Sequence, residues 1–200
     1  MFLFVKVNEN LCWRLKMLKY VLLILPLMMF SVSGLSKNKN MLIDDFTNKP
    51  EKHWKFITDQ VMGGVSNGKL NFFQENGRNC ANMSGNVSTE NNGGFIQFRK
   101  KLKNPPKKIY EGLKLVARGN NQTYFIHLRT RGTFLPWQYY QAPFRVSKDW
   151  AAVEVKFSDF KRSGILLREK IDPKSLKSVG VVAFGRNHVA NVDVCEVSFF

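Results

Sequence analysis

From residue 41 to residue 200 the chain has no long stretch with apolar residues at i, i+3, i+4 and i+7. Short aromatic and β-branched runs recur instead between Gly, Asn and Pro. This excludes a helix bundle and an α/β fold, each of which needs amphipathic helices to cover its core. Candidate strands fall at 69–74, 94–99, 112–118, 123–129, 138–144, 150–157, 178–184 and 192–199. In 150–157, Ala151, Val153, Val155 and Phe157 share one face while Ala152, Glu154 and Lys156 share the other, the alternation of a strand with one wet face. Tyr124, Ile126 and Leu128 likewise oppose Phe125, His127 and Arg129. Many strands joined by turn residues predict an all-β, jelly-roll β-sandwich.

Length and composition fit one such domain. The 200 residues are 44% hydrophobic and 13% aromatic, enough to bury a core and unlike a disordered chain. The net charge of +16 makes an anionic partner worth considering: phosphate, nucleic acid or a lipid surface. The bases are scattered except over 99–108, where Arg99, Lys100, Lys101, Lys103, Lys107 and Lys108 surround Pro105-Pro106. We read that run as an exposed loop, with a phosphate or lipid contact as its functional alternative.

Residues 20–30 are uninterruptedly apolar, preceded by Arg14, Lys16 and Lys19 and followed by Ser31, Ser33, Gly34 and Ser36. This is the layout of a secretory leader, and the run is shorter than the roughly twenty residues that cross a bilayer as a helix. We expect a leader over 1–36, either a signal peptide or a membrane anchor, ahead of a domain over 41–200. Either Met1 or Met17 can serve as the start. The expected location is outside the cytoplasm or on a membrane, in preference to the mitochondrion.

Cys12, Cys80 and Cys195 show no Cys-x-x-Cys spacing, so no zinc or redox motif is expected. Cys80 and Cys195 form one candidate pair, but we expect free, buried thiols. His53, His127 and His188 lie in no Gly-x-Ser-x-Gly frame. His127, in mid-strand, reads as a histidine satisfied by a neighbour. Asp44 and Asp45, adjacent on a strand, would point to opposite faces. The chain is therefore expected not to be an enzyme and to need no cofactor or metal. The glycine block 59–68, Asp-Gln-Val-Met-Gly-Gly-Val-Ser-Asn-Gly, lacks P-loop spacing, and its final Asn67-Gly68 reads as a hairpin turn. Asn91-Asn92-Gly93-Gly94-Phe95 reads as a second tight turn.

These blocks, in this order, resemble the complex I intermediate-associated protein 30 family: Asp45-Phe46, then Trp54, then Asp59, Met62, Gly63, Gly64 and Ser66 in the glycine block, then Gly93, Gly94 and Phe95. The similarity continues through Tyr110-Glu111-Gly112-Leu113, Tyr140-Gln141-Ala142-Pro143-Phe144, Trp150 and Phe157-Ser158-Asp159-Phe160. It implies a galactose-binding-like sandwich and a non-catalytic, chaperone-like role in assembling respiratory complex I. The partners would be complex I subunits or assembly intermediates. Two places depart from the family pattern: Gly119-Asn120 stands where Gly-Asp is usual, and 188–191 replaces a Gly-x-Phe block.

In the matched blocks, Arg99, Arg118, Arg129, Trp137, Tyr140 and Gln141 are the candidate partner- or ligand-binding residues, expected to line one sheet face. The remaining motif residues read as structural. Two other classes compete with assembly. One is an envelope carbohydrate-binding module, suggested by the sandwich and by Trp137, Tyr139 and Tyr140. The other is binding to anionic lipid or nucleic acid through the basic surface, where nucleic acid is disfavoured because no motif supports it.

Overall fold

The computed structural model describes residues 40–200; the expected leader lies outside them. Twelve strands follow one another: β1 (Met41–Asp44), β2 (Trp54–Thr58), β3 (Asn67–Glu75), β4 (Arg78–Val87), β5 (Phe95–Lys101), β6 (Gly112–Gly119), β7 (Thr123–Thr130), β8 (Tyr140–Arg145), β9 (Ala151–Lys156), β10 (Lys161–Arg162), β11 (Leu176–Phe184) and β12 (His188–Phe199). One helical turn, α1 (Pro50–His53), begins at a proline whose fixed φ suits a first helical position. Among the described residues no helix is long and apolar enough to cross a membrane.

The strands form two antiparallel six-stranded sheets. The first runs β3-β4-β12-β6-β9 with β1 also on β12, and the second runs β10-β8-β7-β11-β5-β2. The chain passes repeatedly from one sheet to the other, which makes the fold a jelly-roll sandwich, as the strand pattern predicts. Alternation along each strand supplies the shared core. Leu113, Leu115, Val192, Val194 and Val197 from the first sheet meet Tyr124, Ile126, Leu128, Val179, Val181, Ile96 and Phe98 from the second.

All eight expected strands are present. The prediction omits β1, β2, β4 and β10. β4, read as Arg-Asn-Cys-Ala-Asn-Met-Ser-Gly-Asn-Val, is dense in residues that favour turns, and only its burial against β12 and β3 makes it a strand.

Three expectations are corrected. Asn67-Gly68 is not a hairpin turn: it begins β3 opposite Asn86 and Gly85, where a Cβ on Gly85 would collide with the Asn67 carbonyl. The hairpin turn is Asn76-Gly77, with φ of 50° and 75°, between the paired Glu75 and Arg78; two positive φ values in a two-residue loop are what Asn-Gly supplies. The basic run is not wholly a loop, because Arg99, Lys100 and Lys101 belong to β5. Finally, Cys80 and Cys195 are not free thiols but a disulfide linking β4 to its neighbour β12, with Cα atoms 4.0 Å apart.

The two departures from the family pattern meet in space. Tyr124 donates its hydroxyl to Asn120 Oδ1 at 2.8 Å and accepts from the Asn191 N–H at 2.7 Å, while the Asn120 side-chain amide donates to the Val189 carbonyl at 2.8 Å. Burial pushes the Tyr124 phenol up to about 12, against the pull of the Asn191 N–H and the Arg186 charge. Asn120 and the 188–191 segment thus form one local solution rather than two unrelated losses.

Candidate functional site

The family glycine motif folds around a single carboxylate. Asp59 follows β2 and is fully buried. Its Oδ1 accepts the Ser66 N–H at 2.9 Å; its Oδ2 accepts the Ser66 hydroxyl and the N–H groups of Gly94 and, at 3.2 Å, Phe95. A Cβ on Gly64 would collide with Asp59 Cγ, and one on Gly93 with Asp59 Oδ2. Both positions therefore need glycine for close approach rather than for φ. Burial pushes the Asp59 carboxyl up, but the Gly94 N–H, the Ser66 hydroxyl and the N–H groups of Phe95 and Ser66 together hold it below its ordinary range. Every strong acceptor here is spent on the chain itself, so this is an internal clamp joining the loop before β3 to the loop before β5. Met62 stands outside it, 59% exposed.

Other motif residues are structural too. Trp54 is buried and donates its indole N–H to Asp44 Oδ2 at 2.9 Å, and Lys100 pairs with the same oxygen. Asp45 only accepts the Thr47 N–H, at 3.0 Å, in an exposed turn, so the carboxylate that organises this corner is Asp44. Trp150 donates to Glu75 at 3.0 Å, and the Arg118 guanidinium lies 4.4 Å above its ring centroid.

The outward face of the second sheet is different. β11 carries the small residues Ser178 and Gly180 along its centre, and the register sets larger groups on either side. Lys101 and Arg129 flank Ser178; Arg99 and His127 flank Gly180; Gln141 lies across from His127 on β8. Tyr139 stacks on the His127 ring at 4.1 Å between centroids and 11° between planes, and Phe184 meets both rings edge-on. His127 is 8% exposed; its Nε2 and the neighbouring Gln141 Oε1 make no well-formed hydrogen bond among the described residues, although the Gln141 side chain lies near enough to act on the ring as a hydrogen-bond partner. Burial pushes the His127 ring down to about 4, with Gln141 pulling it part of the way back, so the ring is neutral at pH 7. Two adjacent buried polar atoms left open on an outward face are an exception to the usual pairing of such groups.

Of the six residues expected on one face, three share it: Arg99, Arg129 and Gln141. Trp137 is on the loop that precedes β8, 64% exposed, with its carbonyl held by the Ser163 hydroxyl. Tyr140 points the other way, into the core, and donates its hydroxyl to the Arg168 carbonyl at 2.9 Å. Arg118 is on the opposite sheet, bonded to Asp193 at 2.8 Å and to Glu75. Hydrogen bonds to Asp193 raise its guanidinium above the ordinary value, against the pull of burial, with Glu75 adding to the rise. The expected single face is corrected accordingly. His127, read from the sequence as satisfied by a neighbour, has the Gln141 side chain beside its ring but no well-formed bond at Nε2. With Tyr139 it completes the site, and the residue missing from the sequence-based set is His127.

Comparison with known proteins agrees with this architecture. The chain is similar to a family 11 carbohydrate-binding module from Clostridium thermocellum, solved with a β-1,3-1,4-mixed-linked tetrasaccharide: 12% identity, TM-score 0.66, covering 80% of this chain and 95% of that one. A family 11 module of the cellulosomal cellulase Lic26A-Cel5E of the same organism gives 12% identity, TM-score 0.64 and coverages of 80% and 94%. A family 30 module of a cellulosomal cellulase from that organism gives 13% identity, TM-score 0.50 and coverages of 68% and 90%. At these identities the likeness establishes the fold alone. No curated protein sequence matches. The complex I intermediate-associated protein 30 family matches residues 44–190, most of the described domain. By that match, and by the Asp59 clamp its motif builds, the chain belongs to the complex I intermediate-associated protein 30 family.

Proposed function

We propose that this protein is a non-catalytic assembly factor for respiratory complex I or another membrane protein complex, and that it holds a protein partner on the outward face of the second sheet. The observation that carries this reading is the pair of open buried atoms, His127 Nε2 and Gln141 Oε1, beside the Tyr139–His127 stack. A partner offering a donor and an acceptor at that point would satisfy both atoms while covering aromatic surface, the combination found at binding hot spots. The absence of a catalytic role is argued from the same face. It offers a neutral histidine and arginines but no nucleophile and base within hydrogen-bond reach of each other, so its chemistry suits holding rather than transforming.

The test is crosslinking in cells of the tagged full-length protein, comparing wild type with His127→Ala and Tyr139→Ala. Complex I subunits or assembly intermediates should co-purify with wild type and fall at least tenfold with either variant. Equal capture by all three would place the partner elsewhere.

A second reading is an envelope carbohydrate-binding module, favoured by the aromatic cluster of His127, Tyr139 and Phe184 on an open sheet face. A glycan array without signal at protein concentrations that saturate known modules would remove it.

The Cys80–Cys195 disulfide supports export or an outward-facing anchor, because such bonds persist in oxidising compartments. Alkylation of cells before and after reduction should label these two cysteines only after reduction. Labelling without reduction would remove this support for export.

A further inference from the structure

On the same face, towards the start of β11 from the aromatic cluster, a cavity of about 390 Å³ is lined by Arg99, Lys101, Leu102, Arg129, Thr133, Lys177 and Ser178. Four of these seven residues are cationic and none is acidic. Strand register explains the crowding: Lys101 and Arg129 flank Ser178 from β5 and β7, and Arg99 lies one row further along β5. A bulge between Leu176 and Ser178 brings Lys177 to the same cavity; without it, alternation would send that side chain away. Arg129 is held in place, donating to the Leu135 carbonyl at 2.6 Å and the Thr133 carbonyl at 3.4 Å.

Two basic side chains of the sheets are paired with carboxylates among the described residues. Lys100 has Asp44, and Arg118 has Glu75 and Asp193. Arg99 and Arg129 have no carboxylate within salt-bridge distance among the described residues, although they lie close enough for each to oppose the other's charge. Burial, and then the Arg129 charge, push the Arg99 guanidinium below its ordinary value. A partly desolvated pair of like charges is unfavourable by itself and favourable around an anion, and guanidinium groups match oxyanions through paired N–H donors.

We infer that the cavity over Ser178, walled by Arg99, Lys101, Arg129 and Lys177, is an oxyanion subsite of the partner face that takes a phosphate group. Four cations favour a dianion over a carboxylate. The phosphate is either free or esterified on what the face holds. This inference rests on the reading of that face as the binding surface.

Titration of the full-length protein, in micelles of an uncharged detergent, tests it with inorganic phosphate, phenyl phosphate and acetate at matched ionic strength. Phosphate should bind saturably at one site, at least tenfold tighter than acetate, and phenyl phosphate binding more tightly than phosphate would identify an esterified source. Arg99→Gln with Arg129→Gln should weaken phosphate at least tenfold, whereas the exposed Lys69→Gln on the other sheet should leave it unchanged. Lys101→Gln with Lys177→Gln serves the same purpose if the arginine variant does not fold, since both lysines are exposed. Phosphate no better than acetate, or undiminished in the variants, would overturn the subsite.

The two readings fail separately. Phosphate binding that vanishes in the variants while His127→Ala leaves partner capture intact keeps the subsite and removes the partner face; capture through His127 with no phosphate binding does the reverse.

Discussion

Asp59, in the loop after β2, and His127, in the middle of β7, are both buried polar side chains of one sandwich, and the chain treats them in opposite ways. Around Asp59 four donors from three residues converge, and two glycines clear the space for them. Around His127 two aromatic rings close in, yet Nε2 and the neighbouring Gln141 Oε1 stay open. A polar group that is closed by its own chain serves stability. One left open on a face must either lower stability or meet something from outside.

The largest effect should come from Asp59→Ala. It strands the N–H groups of Ser66, Gly94 and Phe95 and the Ser66 hydroxyl in a buried site, for a loss of about 4 kcal/mol in denaturant unfolding. Gly64→Ala attacks the same clamp by overlap with Asp59 Cγ and should cost about 2 kcal/mol. A loss below about 1 kcal/mol for Asp59→Ala would mean that the clamp is not what unites these loops.

Acid separates the two sites by pH. His127 titrates at about 4 when folded, below its ordinary value, so the unfolded chain takes up its proton first as pH falls. Its contribution is fully present above about pH 6.5 and is lost between there and about pH 4, by up to about 3 kcal/mol. Asp59, also held below its ordinary value, keeps its contribution above that value and loses it only at lower pH. Unfolding free energy measured against pH should therefore fall in two steps, and His127→Gln should remove most of the upper one, leaving the share of His188, which burial also pushes below its ordinary value. A single step below pH 4 would show His127 to be more open to solvent than its burial states.

How much of this the sequence discloses differs between the sites for a physical reason. The Asp59 clamp is made of two contiguous glycine-bearing blocks, 59–66 and 93–95, each recognisable by itself although they meet across 35 residues of chain. The open face is assembled from β5, β7, β8 and β11, and no local spacing marks it. Arg99, Arg129 and Gln141 stand in recognisable blocks, but which face each occupies depends on alternation and register. Tyr140 and Gln141 are adjacent in one strand and so cannot share a face, a constraint the sequence itself contains. Arg118 alternates correctly but on the other sheet, which only the strand order reveals. The disulfide likewise needs β4 beside β12, and nothing local to Cys80 or Cys195 encodes that adjacency.

On the first sheet, Arg118 gives an intermediate case, closed like Asp59 but only partly buried. It bonds Asp193 and Glu75 and covers the Trp150 ring. Arg118→Gln should cost about 1 kcal/mol, since partly solvated ion pairs and cation–π contacts are each modest. It should leave partner capture unchanged, because it lies on the opposite sheet from His127. Loss of capture with a folded protein would extend the binding surface to both sides of the sandwich.

The smallest effect on stability should come from Gln141→Met. Methionine keeps the length of the side chain and removes the buried Oε1 that nothing in the described domain satisfies. At a closed site the loss of a buried acceptor strands its donors; here the nearest donor is the His127 ring, which makes no well-formed bond to Gln141, so the substitution should be close to neutral, within about 1 kcal/mol. The same change takes away the acceptor a partner would use, so crosslinked capture should fall while the denaturation midpoint holds. A loss of binding without a matching loss of stability at one residue is what an open polar site predicts. If Gln141→Met instead destabilises the fold and spares capture, Gln141 belongs with Asp59 among the groups the chain has closed for itself.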